Sequence, residues 1–348
     1  MTAPTNRTRR ALIMLAKLGL AAAILGYLFV QVHGQQGFAR LVSEPKQWHM
    51  LAAALVSTTI AVTLTFVRWH VLITALGLNI RLIDTLRLGA LGFALNFVSL
   101  GALGGDFFKA FFLAKDMHGQ RTEAVATVIA DRVMGLLLML LLASTATLLI
   151  DWSAAPTIIK LLVHAIRLAA IGALAGVMLV LLVPALSGEW VRQTVGAVPL
   201  VGATVARLIG AVSAYREEKR YLLVAVGISL VLDVMFILSF YCVAQGLPVQ
   251  SPTLAEHFVV VPAATMAGAI PATPSGLGTM EAAVDALYQA MPRATAIPAG
   301  DGTLVALGQR ATMILMAAGC LAFYMLQSGD LREAIHEVEE AEAEAEAV

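Results

Sequence analysis

The chain has 348 residues, 59% of them hydrophobic and 13% charged, with a formal net charge of zero and a mean hydropathy of +0.83. A soluble core cannot absorb that much apolar surface, so the composition excludes an ordinary soluble enzyme and a nucleic-acid-binding protein and points to a polytopic all-α membrane protein. The neutral balance hides an asymmetry: from Asp330 onward eight acids face one base, Arg332, which leaves residues 1–329 with seven more bases than acids, as suits a body facing anionic lipid.

Residues 1–10 carry Arg7, Arg9 and Arg10 and precede the first apolar window, 11–30. That window is too long for a signal peptide and is not followed by a small-residue cleavage site, so it predicts a retained anchor. Further windows follow at 50–67, 133–150, 160–184, 221–244 and 303–327, each near the ~20 residues that cross a bilayer. Cys242 and Cys320 lie inside two of these windows. Without CxxC or metal-like spacing they predict neither a disulfide framework nor a zinc site. No P-loop, HExxH, GxSxG or dinucleotide fingerprint occurs, so no cofactor and no catalytic residue is expected. Residues 1–10 read as a cytoplasmic amino terminus, 11–327 as one transmembrane domain, and 328–348 as an acidic cytoplasmic tail.

Two further apolar stretches, 88–113 and 257–290, are interrupted by glycine just before an acid: Gly101-Ala102-Leu103-Gly104-Gly105-Asp106 and Pro271-Ala272-Thr273-Pro274-Ser275-Gly276-Leu277-Gly278-Thr279-Met280-Glu281. Backbone that leaves the helix inside a membrane must be buried in protein or line a wet cavity, because lipid cannot satisfy its amides. If both stretches crossed, twelve bases would fall on the outer side, including Arg192, Arg207, Arg216, Lys219 and Arg220, against the positive-inside rule. If both turn back, sixteen bases lie inside and four outside. The expected fold is therefore six full spans plus two re-entrant broken hairpins, eight hydrophobic segments in all. The hairpins would enter from opposite faces, with both termini in the cytoplasm. The competing reading is that each break is a mere kink in an ordinary span.

Each break opens a half-helix whose free N–H groups carry partial positive charge and can hold a phosphate. Asp106 and Glu281 sit in those first turns, where they either bind ligand or cap the helix. Lys109, Asp131, Arg132 and Arg310 supply charge at similar depth, and Arg310 is too far inside its window to reach water easily. Asp233 and Asp285 are candidates to pair with a buried base. Arg68-Trp69 reads as an interfacial anchor at headgroup level.

The ordered series Arg68-Trp69, Asn96…Gly104-Gly105-Asp106…Lys109, Asp131-Arg132…Gly135, Pro271…Pro274…Gly276-Leu277-Gly278…Glu281 and Arg310 resembles the flippase-like membrane domain of the lysylphosphatidylglycerol synthase family, over roughly residues 10–328. The resemblance implies an inner-membrane domain that moves a phospholipid, or a related glycolipid or polyprenyl lipid, between leaflets. It departs at Ser99, Leu100, Lys109 and Ser275, and it lacks the soluble aminoacyl-transferase domain of the synthases, so lysyl-lipid synthesis is not expected. On this reading Gly104, Gly105, Asp106, Lys109, Asp131, Arg132, Pro274, Gly276, Gly278, Glu281 and Arg310 bind the substrate, and the partners are membrane phospholipid or glycolipid. The alternatives are a membrane enzyme and an accessory scaffold in envelope lipid or glycolipid biosynthesis. A Gly172-Ala173-Leu174-Ala175-Gly176 face could serve a homo-oligomer or an envelope-biosynthesis partner.

Overall fold

The computed structural model describes residue 26 and residues 37–98, 104–116, 120–196, 202–269, 273, 276–292 and 296–328. The expected first span, the glycine tip at 101–103, Pro274 and the acidic tail beyond Ser328 lie outside the described residues. All regular structure among those residues is helical: α1 (Gly37–Ser43), α2 (Trp48–Ala75), α3 (Leu82–Val98), α4 (Gly104–Asp116), α5 (Arg121–Ala146), α6 (Thr157–Leu182), a 3-10 turn (Pro184–Ser187), α7 (Glu189–Gly196), α8 (Gly202–Ser213), α9 (Lys219–Gly246), α10 (Leu254–Ala269), α11 (Thr279–Ala290) and α12 (Asp301–Ser328).

Five helices, α2, α5, α6, α9 and α12, are long and apolar enough to cross a membrane. At ~1.5 Å per residue a 26-residue helix exceeds a hydrocarbon core of about 30 Å. The five expected windows from 50–67 onward fall on these helices, but α2 runs on to Ala75, α5 begins at Arg121, and two windows overrun the ends of their helices. α6 stops at Leu182 because Val183 takes an extended conformation ahead of Pro184, as a residue before proline must. α5 stops at Ala146, and Thr147 just beyond it accepts hydrogen bonds from Trp152 Nε1 (2.8 Å) and Arg167 Nη2 (2.9 Å) on its carbonyl oxygen. Arg167, expected inside a span, therefore satisfies a helix end.

The order of elements repeats. α2, α3, α4 and α5 have 28, 17, 13 and 26 residues. Their counterparts α9, α10, α11 and α12 have 28, 16, 12 and 28. The leading helices of the two units pack against each other along their length, and they run antiparallel. Gln47 N–H donates to the Gly246 carbonyl (3.0 Å) at one end, Arg68 Nη1 reaches Ser229 Oγ (3.0 Å) farther along, and Leu72 clusters with Ala225. One unit is therefore upside down relative to the other.

In each unit the two short helices form a hairpin that turns back on itself. In the first, Gly105 N–H donates to Asn96 Oδ1 (2.9 Å), and a Cβ on Gly92 would lie 2.8 Å from the Gly105 carbonyl and 2.9 Å from Lys109 Cγ. In the second, Gly268 meets Met280 and Gly276, while His257 Nε2 lies 2.8 Å from Tyr288 Oη. Close helix approach of this kind requires residues without a side chain. A Cβ on Gly105 would strike the Gly92 carbonyl, and one on Gly276 would lie 2.5 Å from the Gly268 carbonyl, with Gly276 already at φ +64°.

Each hairpin begins and ends at one end of the bundle. Leu78, before the first hairpin, packs in one cluster with Leu113 and Ala124 after its turn. Gln250, before the second, donates its N–H to Asp301 at the start of α12 (2.7 Å). Because α2 and α9 are antiparallel, the two hairpins enter from opposite ends. α5 and α12 bridge them: α5 packs on α4 and α10, and α12 packs on α3 and α11. α6, the 3-10 turn, α7 and α8 join the two units.

Candidate functional site

The first hairpin places Gly104 and Gly105 at the opening of α4 and Asp106 in its first turn. Asn96 accepts the Gly105 N–H. The Asp106 carboxylate pairs with Arg132 Nη2 of α5 (2.5 Å) and lies 3.8 Å from Lys109 Nζ. Lys109 is itself buried, and its ammonium faces the rings of Trp69 (5.5 Å to the centroid) and Phe66 (5.8 Å). Aromatic faces stabilise a cation that water cannot reach. Trp69 Nε1 donates to Thr127 Oγ1 (3.2 Å), which fixes that wall of the box.

The second hairpin repeats the arrangement with glutamate. Gly276 and Gly278 take positive φ, +64° and +82°, and turn the chain into α11. Glu281 Oε2 accepts the Gly278 N–H (2.8 Å), while its Oε1 pairs with Arg310 Nε of α12 (2.5 Å). Capping and ion pairing therefore coexist in one carboxylate. Asp285, one turn later, accepts N–H groups from Gly300 (2.8 Å) and Thr303 (3.2 Å) at the start of α12.

A third charged group joins the two units. Arg68 of α2 donates to Asp131 of α5 (2.7 Å) and to Ser229 of α9 (3.0 Å). One turn along α9 from Ser229, Asp233 is buried with its Oδ2 lacking a hydrogen-bond partner. The expectation of an interfacial Arg68-Trp69 anchor is overturned: Arg68 is 4% exposed and Trp69 1%. The apolar run of α2 continues past both residues to Ala75, so they sit inside the bundle. Asp131 and Arg132, neighbours in sequence, point to different partners. Asp131 joins this cluster, and Arg132 joins the first hairpin.

Of the expected site residues, Asp106, Lys109 and Arg132 meet at the first hairpin, and Gly278, Glu281 and Arg310 meet at the second. Asp131 stands apart from both ion pairs, Gly104, Gly105 and Gly276 shape the turns, and Pro274 lies outside the described residues. Sequence reasoning missed the Arg68–Asp131 pair, although the mostly apolar run that continues past Arg68 to Ala75 was a signal for it. Each hairpin thus presents an acid at a helix opening, held by an arginine from a bridging span. A ligand bearing both phosphate and amine could replace both halves of such a pair at once.

A family model described as the lysylphosphatidylglycerol synthase TM region matches residues 14–319. A search of curated proteins finds no match.

Proposed function

The chain belongs to the lysylphosphatidylglycerol synthase TM region family, and from that premise we propose that it is a lipid translocator, carrying a phospholipid or related glycolipid or polyprenyl lipid between leaflets of the inner (cytoplasmic) membrane. The reading rests above all on the two hairpins, which enter from opposite ends of the bundle and each carry an acid paired with an arginine. In the membrane they are re-entrant, beside six full spans that include residues 11–30. With Arg68 and Lys109 set aside as buried in the bundle, fourteen bases inside against four outside support this topology, with both termini in the cytoplasm.

The headgroup follows a polar path between the hairpins while its acyl chains remain in lipid. Its phosphate meets Arg132 at the first hairpin and Arg310 at the second, near the positive ends of the two half-helices. An amine, where the lipid has one, meets Asp106 or Glu281. Crossing bare hydrocarbon would strip the headgroup of every hydrogen bond, at a cost of several kcal/mol or more per polar group, and the lined path supplies replacements.

The test is leaflet exchange of a fluorescent phospholipid in vesicles containing the purified full chain, read by quenching the outer leaflet with an impermeant reductant. Wild-type protein accelerates exchange, and Asp106→Asn abolishes the acceleration while the protein keeps its melting temperature. Exchange no faster than in protein-free vesicles, across phospholipid and polyprenyl-phosphate probes, overturns the reading.

A further inference from the structure

Away from both ion pairs, α5, α6 and α9, with Leu72 of α2 and Val212 of α8, line a cavity of about 440 Å³ whose described lining is apolar apart from Lys219 and Tyr215. One wall follows α5 from Ala130 to Leu141, and the facing wall follows α6 from Leu174 to Leu181. At ~1.5 Å per residue the groove is about 16 Å long, roughly half of a ~30 Å hydrocarbon core. It therefore has the depth of a single leaflet.

The two ends differ. Lys219, the first residue of α9, lines one end and is exposed, as are Arg220 beside it and Arg207 on α8. Arg216 closes the same end by donating to the carbonyls of Val180 and Leu181 at the end of α6 (2.5 and 3.0 Å). Glu217 and Glu218 lie on the connecting turn but do not line the groove. The other end, at Leu141 and Leu174, has no charged residue among the described lining.

This shape selects its occupant. Water does not fill an apolar cavity, and a groove one leaflet deep with a basic rim fits an apolar chain that ends in an anionic head. If a cavity of about 150 Å³ takes benzene, one of this size takes on the order of 15 to 18 carbons in a chain. We propose that the groove holds one acyl chain of a cytoplasmic-leaflet phospholipid whose headgroup carries net negative charge, with its phosphate at Lys219. The assignment rests on the membrane topology given above and does not require translocation. It also places a lipid close to the charged centre: Ala130 in the groove wall adjoins Asp131, and Leu72 lies one helical turn from Arg68.

Native mass spectrometry of the full chain in mild detergent, with added phosphatidylglycerol or phosphatidylcholine, tests the proposal. Wild-type protein retains phosphatidylglycerol at least tenfold more strongly than phosphatidylcholine. Lys219→Gln removes that preference. Met178→Trp and Leu174→Trp, at partly exposed positions on α6 that tolerate a larger side chain, fill the groove and reduce retention of both lipids at least tenfold without lowering the melting temperature. Equal retention in wild type and both tryptophan variants overturns the proposal. So does a disulfide between Met178→Cys and a cysteine placed in residues 11–30, which would assign the groove to the chain's own first apolar window. Asp106→Asn separates the two readings, because it stops leaflet exchange and leaves the phosphatidylglycerol adduct intact. A wild-type protein that retains the adduct but shows no exchange sinks the translocator reading and leaves the groove assignment standing.

Discussion

The Asp106–Arg132 and Glu281–Arg310 pairs occupy equivalent places in two units of the same helix order, yet their surroundings differ sharply. Arg132 is 41% exposed and Asp106 23%, whereas Arg310 is 17% exposed and Glu281 only 1%. One pair, at the tip of the first hairpin, is partly open, and the other, at the tip of the second, is closed over. Two inverted units with the same chemistry in unequal states are what a carrier needs if it is to present its site to one face at a time. The difference also separates structural charge from available charge. A buried pair is strongly missed when one partner is removed, while a pair in contact with solvent costs little to break.

The largest effect is expected at the closed pair. Arg310→Ala strands the Glu281 carboxylate in a dry site and destabilises the protein by about 3–5 kcal/mol, read as a lowered midpoint in thermal denaturation. The double variant Glu281→Gln with Arg310→Met recovers most of that loss, because no charge is left without a partner. A double variant as unstable as the single one would show that the pair is not closed.

A smaller loss tests the turns that hold the two acids in place. Gly276→Ala forces a side chain into a left-handed conformation and against the Gly268 carbonyl, at a cost of about 1–3 kcal/mol. Gly105→Ala drives a methyl into the Gly92 carbonyl and costs a similar amount. If either variant melted like wild type, its hairpin would not be the tight glycine-to-glycine contact described above.

Smaller still is the expected change in stability at the open pair. Arg132→Gln shifts unfolding by no more than about 1 kcal/mol, yet it lowers leaflet exchange at least tenfold. Unchanged exchange would remove the open pair from the transport path. Labelling adds a test with no measurable effect on stability. Both native cysteines are buried, so single cysteines at Lys115 and Arg207 should react with an impermeant maleimide from one face and a cysteine at Lys46 from the other. Reaction of Lys115→Cys and Lys46→Cys from the same face would turn the first hairpin into an ordinary crossing.

How much of this was legible in the sequence follows from what each signal depends on. Spans are visible because burial in lipid is a property of every residue in a window. The hairpins are visible because glycine, a following acid and the placement of lysine and arginine agree. Which acid meets which base was not legible. Arg68 reaches Asp131 across 63 residues and Arg310 reaches Glu281 across 29, and those meetings depend on how each helix is rotated about its axis, which composition leaves open. Lys109 was legible as a charge beside Asp106, while its aromatic box was not, because Phe66 and Trp69 come from a different helix. The repeat also escaped notice, because its two halves share helix lengths and one acid at a helix opening rather than a run of residues.

α6 is the least buried of the five candidate spans, with 11% of its most apolar window buried, and its place in the chain gives it a role that its packing does not reveal. Each four-helix unit contains two of the long apolar helices, so on the proposed topology the chain leaves a unit on the side where it entered. Joined directly, both units would face the same way. A single additional crossing reverses the second one, and its parity matters more than its sequence. A variant lacking Thr157–Leu182 would bring both hairpins in from the same side, and the protein would have two doors on one wall.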